Sequence, residues 1–340
     1  MKILIVKIGA IGDVIMSMSM IPVLRRKYPD AEISWICGRT AAPVLHMVTG
    51  IDHVIEVNDK MILTGSKFEK ITALFNIWGK LFFQSFDIVI NAHADYRYKM
   101  LFFPVRKKDL YSLRKDNSNR IRPVPGRHHS DEYAMLAENY DGENTLKYFL
   151  PDLKSSIKGK NEIHRSNNAP VVVLAPGGAK NILRDDNLRR WPVEAYAQLA
   201  ESLLLLGYTV LVTGSETDQW VNPYFSKINV TSLIGKLGMQ ELVNLYSTSD
   251  LVITHDSGPL HFAGLAKTPV IALFGPTNPY EKVPRGDTNQ IIWGGGSLSC
   301  RPCYDGRNYA PCSNNLCMKD ITVEAVLKSV KEILNSSERK

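Results

Sequence analysis

The chain has 340 residues, enough for two domains of about 150 residues each with cores of their own. Its composition, 44% apolar and 22% charged, is that of a globular protein, and no uninterrupted apolar run reaches the ~20 residues a membrane-crossing helix needs. The net charge of +7 points to an anionic partner. Nucleic acid is set aside because the chain shows no aromatic RNP run, zinc finger or basic recognition helix. An anionic membrane face or an acidic glycolipid is expected instead.

Met1-Lys2 leads straight into Ile3-Leu4-Ile5-Val6, too short for a signal core, so a cytoplasmic location is expected. Residues 1–8 read as a buried parallel strand. Gly9-Ala10-Ile11-Gly12-Asp13 is a glycine turn, and apolar spacing over 14–27 predicts a helix behind it. The turn lacks G-x-G-x-x-G, which counts against an NAD or FAD oxidoreductase. Asp13 either offsets the dipole of that helix or stands as a carboxylate able to take a proton.

Further strands are predicted at 32–37, 54–57 and 87–91, with helical segments between them, the alternation of a doubly wound parallel sheet. The last of these ends in Ala92-His93, so His93 and Asp95 stand either at a ligand or in structural support. From Arg97 to Arg127 the chain is at its most basic, with Arg106, Lys107, Lys108, Arg114, Lys115, Arg120 and Arg122 among its cations. This tract is either a solvated surface or a site for a phosphorylated or carboxylated ligand. Its apolar groups, Met100 to Phe103 and Leu110-Tyr111, could touch a bilayer interface.

Residues 151–168, rich in Lys, Ser and Asn, read as an interdomain linker. A second α/β domain opens with a strand at 171–174, and Pro176-Gly177-Gly178 forms a corner where amides can meet phosphate. Arg189-Arg190-Trp191-Pro192 precedes an amphipathic helix over 193–206. A strand at 209–213 ends in Gly214-Ser215-Glu216, and a helix over 239–247 follows. Residues 251–254 are a strand that runs into His255-Asp256-Ser257-Gly258-Pro259, a corner with free helix-start amides suited to an anion. Asp256 either caps the helix or accepts from ligand hydroxyls. His261 lies one turn into that helix, and a strand at 270–274 stops at Gly275-Pro276-Thr277. Cys300, Cys303, Cys312 and Cys317 have the shape of a small thiolate knuckle for Zn or Fe, structural in role; free thiols are the alternative. Residues 323–335 form a last amphipathic helix.

Three stretches resemble glycosyltransferase family 9, the bacterial heptosyltransferases: KIGAIGDVIMSMSMIPVLRRKYPDAEISWI at the start, Arg-x-Trp-Pro at Arg189, and HDSGPLHFAGLAKTPVIALFGPT from His255. The resemblance implies an α/β GT-B fold, two Rossmann-like doubly wound domains facing across a cleft. Residues 1–160 would bind the acceptor, 170–320 the nucleotide sugar, and a helix in 321–340 would return to the first domain. It implies an inverting transfer of heptose from ADP-heptose to an inner-core lipopolysaccharide, an anionic glycolipid, with peripheral contact to the inner membrane. Asp13 would be the general base. Arg189, Gly214, Glu216, Asp256, Ser257, Gly258, Pro259, His261 and Thr277 would bind the donor, and Gly12, His93 and Arg120 the acceptor. No cofactor is required for catalysis. Another nucleotide sugar or acceptor, or a sugar-nucleotide-binding protein without catalysis, is the alternative.

Overall fold

The computed structural model describes residues 1–113, 124–140, 149–157, 169–306 and 308–337. Contacts divide the chain into two compact units, Met1–Lys154 with Asn181–Leu183, and Ser155–Lys180 with Arg184–Lys340.

In the N-terminal unit the described strands are β1 (Lys2–Val6), β2 (Glu32–Gly38), β3 (His53–Val57), β4 (Ser85–Asn91) and β5 (Arg106–Ser112), in the order β3-β2-β1-β4-β5. All neighbours run parallel; Ile5 of β1 stands opposite Trp35 on one side and Ile90 on the other. The strand KILIV is apolar along its length because β1 is covered on both faces. β5 was not foreseen. It lies inside the basic tract, and as an edge strand its sequence RKKDLYS leaves its first four residues exposed, so no apolar run announces it. The helix predicted over 14–27 is two, Ile11–Ser17 and Met20–Lys27, and at the break between them Ser19 donates its hydroxyl to Ser130 O at 2.7 Å.

The C-terminal unit repeats the plan with β6 (Val171–Ala175), β7 (Thr209–Val212), β8 (Thr231–Ser232), β9 (Leu251–His255), β10 (Val270–Phe274) and β11 (Gln290–Trp293), in the order β11-β10-β9-β6-β7-β8. Strands β6, β9 and β10 are buried at every residue. In each unit the strand order reverses beside its first strand, between β1 and β4 and between β6 and β9. The crevice beyond the carboxyl ends of such strands is where doubly wound sheets bind ligands.

The last helix, Val323–Ser337, packs on the C-terminal unit: its Val326, Val330, Ile333 and Leu334 are part of that core, with Trp191, Leu203 and Ile271. Trp191 anchors this packing by donating Nε1–H to Ile321 O at 2.9 Å.

Candidate functional site

At the switch point of the N-terminal unit, β1 passes into the glycine turn and the helix Ile11–Ser17 begins. Asp13 lies in the first turn of that helix. Its Oδ2 is 3.4 Å from Lys7 Nζ, and the two side chains differ sharply in exposure, 41% for Asp13 against 7% for Lys7. Lys7 is thus an interior cation whose charge is met by an accessible carboxylate. Tyr133 covers it, with Nζ 5.2 Å from the ring centroid. Burial alone would lower the Lys7 pKa, but Asp13 and Tyr133 outweigh it and the net shift is upward, so the ammonium form persists. Trp35 Nε1–H donates to Lys7 O at 3.1 Å and fixes the backbone there.

His93 was expected on the acceptor side. Its Nε2 accepts the Ile8 N–H at 3.0 Å, and its ring stacks on Tyr98 with centroids 3.7 Å apart. Burial, and next the charge of Lys7, hold its pKa well below the usual histidine value, so the ring is neutral. His93 therefore supports the turn that carries Gly12 and Asp13, with its ring nitrogen engaged by backbone. Arg120 lies outside the described residues.

At the switch point of the C-terminal unit the corners after β6, β7, β9 and β10 meet. Asp256, which follows β9, is buried, and its Oδ2 accepts Thr277 Oγ1–H at 2.8 Å and Lys282 Nζ at 3.0 Å, with Arg189 Nη1 at 3.3 Å. Burial would raise this carboxyl; Lys282 and Arg189 overcome it and hold the pKa well below the usual carboxylate range. The residue therefore does not cap the following helix. Ser257 is the N-cap of Gly258–Ala266, and its hydroxyl turns back to His255 O and Thr254 Oγ1, each at 3.4 Å, making no cap bond to the helix. In the first turn of that helix Leu260 N–H bonds Ser257 O at 3.2 Å and Pro259 has no amide to offer, so a ligand at this helix start would meet Gly258 first.

Arg189 and Lys282 share a roof. Tyr304 lies 5.1 Å from the Arg189 guanidinium and 5.3 Å from Lys282 Nζ, ring centroid to cation, and its hydroxyl accepts from Arg184 Nη2 at 3.0 Å. Arg189 Nε also bonds the Tyr309 hydroxyl, whose pKa burial pushes up to about 12 against the pull of Arg189. Arg184, Arg189 and Lys282 thus face Asp186 and Asp256, three cations to two carboxylates, beside a helix N-terminus. Such a site has one positive charge in excess and suits an anion.

The corner after β6 closes against this one. Gly178 has φ +81, and a Cβ there would come within 3.3 Å of Ser257 Oγ. Its N–H donates to Asp218 Oδ1 at 2.8 Å, Ser215 N–H donates to Asp218 Oδ2 at 2.8 Å, and Arg190 Nε donates to Gly178 O at 2.9 Å. Asp218 therefore ties Gly178 to the Gly214-Ser215 corner. Glu216, the acid singled out from sequence, is exposed and rests against Gly235. His261 is buried in the helix and Thr277 is buried on Asp256.

The cysteines depart from expectation. Cys300 and Cys312 are exposed, Cys303 is half-buried and Cys317 is buried. The four sulfurs share one neighbourhood, yet among the described residues no group of three or more His, Cys, Asp or Glu is placed to hold a metal ion. Asn315 N–H donates to Cys312 Sγ at 3.3 Å, Cys317 Sγ–H reaches Asn315 Oδ1 at 3.7 Å, and Cys317 packs beneath Gly275 and Gly295. The segment instead delivers Tyr304 and Tyr309 to Arg189.

Lys7, Lys282, Asp218, Tyr304 and Tyr309 were missed as site residues. Lys7 could have been suspected, as a lysine at the end of an otherwise apolar buried strand; Lys282 and the tyrosines carry no local signal.

The family model for glycosyltransferase family 9 (heptosyltransferase) matches residues 74–313. Lipooligosaccharide heptosyltransferase 2 of Haemophilus influenzae is 28% identical over 318 residues, covering 86% of this chain and 88% of that protein. The family 9 glycosyl transferase of Veillonella parvula superposes with a TM-score of 0.73 at 20% identity, covering 98% of this chain and 97% of that one. The ADP-heptose LPS heptosyltransferase II of E. coli superposes at 0.72 and 21% identity, over 99% of this chain and all of that one, 100%.

Proposed function

The chain belongs to glycosyltransferase family 9 and is a glycosyltransferase of GT-B fold, and from that premise we propose that it moves heptose from ADP-heptose to an inner-core lipopolysaccharide with inversion. The observation that carries this reading is the Asp256 corner, where one carboxylate oxygen holds Arg189 and Lys282 beside the N-terminus of Gly258–Ala266. A nucleoside diphosphate is the anion this corner fits, and it needs the cations most as it departs with the charge of the broken bond. The Gly214, Ser257, Gly258, Pro259 and Thr277 positions frame that diphosphate. Glu216 and His261 remain donor-side residues by resemblance.

In the N-terminal unit Asp13 is the general base. The acceptor hydroxyl gives its proton to Asp13, its oxygen bonds to the anomeric carbon, and the bond from that carbon to the phosphate oxygen breaks on the opposite face. ADP leaves with the electron pair, and the anomeric configuration inverts. Lys7 holds the Asp13 carboxylate in place from below. The acceptor is the Kdo or heptose of a lipid-borne core, so the protein works at the cytoplasmic face of the inner membrane by peripheral contact. Among the described residues no helix is long and apolar enough to cross a membrane.

The test is incubation with ADP-heptose and a Kdo-bearing lipid A acceptor, following ADP release and the mass of the glycolipid. Acceptor-dependent ADP release with gain of one heptose is expected. ADP-heptose binding without release would favour a sugar-nucleotide-binding protein, and stabilisation by another nucleotide sugar alone would replace the donor.

A further inference from the structure

The helix Lys67–Leu81 is apolar on two faces. Ala73, Ile77 and Leu81 bury one face in the N-terminal core, as an amphipathic helix should. A second stripe, Phe68, Ile71 and Phe75, lies on the outer face at spacings of three and four residues, with Phe68 78% and Phe75 63% exposed. The stripe continues past the helix end. Phe82 and Phe83 follow, Phe83 at 94% exposure, and Phe103 joins from the neighbouring loop at 69%, its ring 5.8 Å from Trp78, which in turn meets Phe75 at 5.4 Å. Exposed aromatic rings in one contiguous band are rare on a protein that meets only water.

The charge around the band is mostly positive. Lys67 and Lys80 flank the helix, and its one acid, Glu69, is folded back onto the Ser66 N–H at 2.8 Å in a capping box. Two residues beyond Phe83, Ser85 lines a cavity of about 290 Å³ whose walls carry Lys2, Arg106, Lys107 and Lys108 against the single carboxylate of Asp87. Phosphate-sized anions fit such a cavity.

We propose that this band is a membrane-docking surface: the exposed aromatics enter the headgroup boundary of an anionic bilayer while the surrounding lysines and arginine meet its phosphates. The combination of an apolar stripe, aromatic tips and a basic margin is the pattern of an interfacial helix. At 15 residues the helix would lie along the surface for about 22 Å. A second copy of the chain is the poorer occupant, because a two-fold contact through this face sets cations against cations. The proposal deepens the proposed function by giving a lipid-borne acceptor its docking face. It is measured without turnover, so its failure leaves transfer to a delipidated acceptor standing.

The experiment is co-sedimentation of the full chain with phosphatidylcholine vesicles, alone or with about 30% phosphatidylglycerol. Wild type should sediment with the anionic vesicles and stay in solution with the neutral ones, and the binding should weaken in high salt. The variant Phe75→Ser, Phe82→Ser, Phe83→Ser should lose at least ~10-fold in vesicle affinity while keeping its circular dichroism and its activity on a delipidated acceptor. Should that variant fold poorly, the exposed pair Lys67→Glu and Lys80→Glu carries the same expectation. Wild type left in the supernatant, or variants that sediment as well as wild type, would overturn the proposal. So would wild type that self-associates in sedimentation velocity and ignores vesicles.

Discussion

Asp256 is held by two cations and a hydroxyl through one oxygen, so its removal strands like charges in the interior. Asp256→Asn should cost the ligand-free protein roughly 3 kcal/mol, as breaking a buried ion pair does, and ADP should then stabilise the variant more than wild type because the diphosphate supplies the missing charge. Thermal melts with and without ADP check this; an ADP shift no larger than that of wild type contradicts it. Lys7 makes a different prediction. Lys7→Met should lower kcat about 100-fold by releasing Asp13, with the ADP melt shift unchanged. Equal losses in turnover and ADP binding would place Lys7 elsewhere in the mechanism. His255, fully buried with Nδ1 3.2 Å from the Tyr196 hydroxyl, has a pKa pulled down to about 3, by burial first and then by Arg190. The unfolded chain takes up this proton near pH 6.5 and the folded chain refuses it until about 3. Stability is therefore complete above about 6.5 and falls with pH below it, by roughly 1.4 kcal/mol per unit for this group. His93 shifts the same way. The fall in melting temperature between pH 7 and 5 should shrink in His255→Gln, and an unchanged slope would contradict the assignment.

The corner after β6 is built on glycine. A Cβ on Gly177 would lie 2.4 Å from Asp218 Cγ, so Gly177→Ala must displace the carboxylate that ties Gly178 to Ser215. The expected cost is about 1–3 kcal/mol for the unpaired buried groups, with loss of ADP binding; a variant as stable as wild type that binds ADP normally would show the corner to be slack. This also marks what the letters reveal. Strands β1, β6, β9 and β10 are legible because burial on both faces leaves unbroken apolar runs, and their corners are legible because a sharp stop after a strand requires glycine and proline. β5, β8 and β11 are edge or two-residue strands without that pattern. Asp13, Arg189 and the Asp256 corner were readable as local motifs. Tyr309 and Tyr304 were not, because Tyr309 reaches Arg189 from 120 residues away and no spacing rule spans that distance. For the cysteines the spacing is local, and the partners the structure shows are Asn315 and glycine backbone.

At the scale of the molecule, two sheets of the same winding each place a charged group at their own switch point, Asp13 over Lys7 in one and Asp256 with its cations in the other. The division of labour has a direct signature. If ADP occupies the Asp256 corner as proposed, amide exchange with ADP should slow at 177–178 and 256–258, whereas slowing in the turn at 8–13 should need acceptor as well. The decisive measurement is single-turnover transfer from ADP-heptose by Asp13→Asn, with donor affinity taken from the same preparation. The account predicts an ADP-heptose affinity close to wild type and transfer reduced by about 1000-fold or more, because the proton has nowhere to go. Transfer at a near-normal rate would contradict it, whatever the donor affinity.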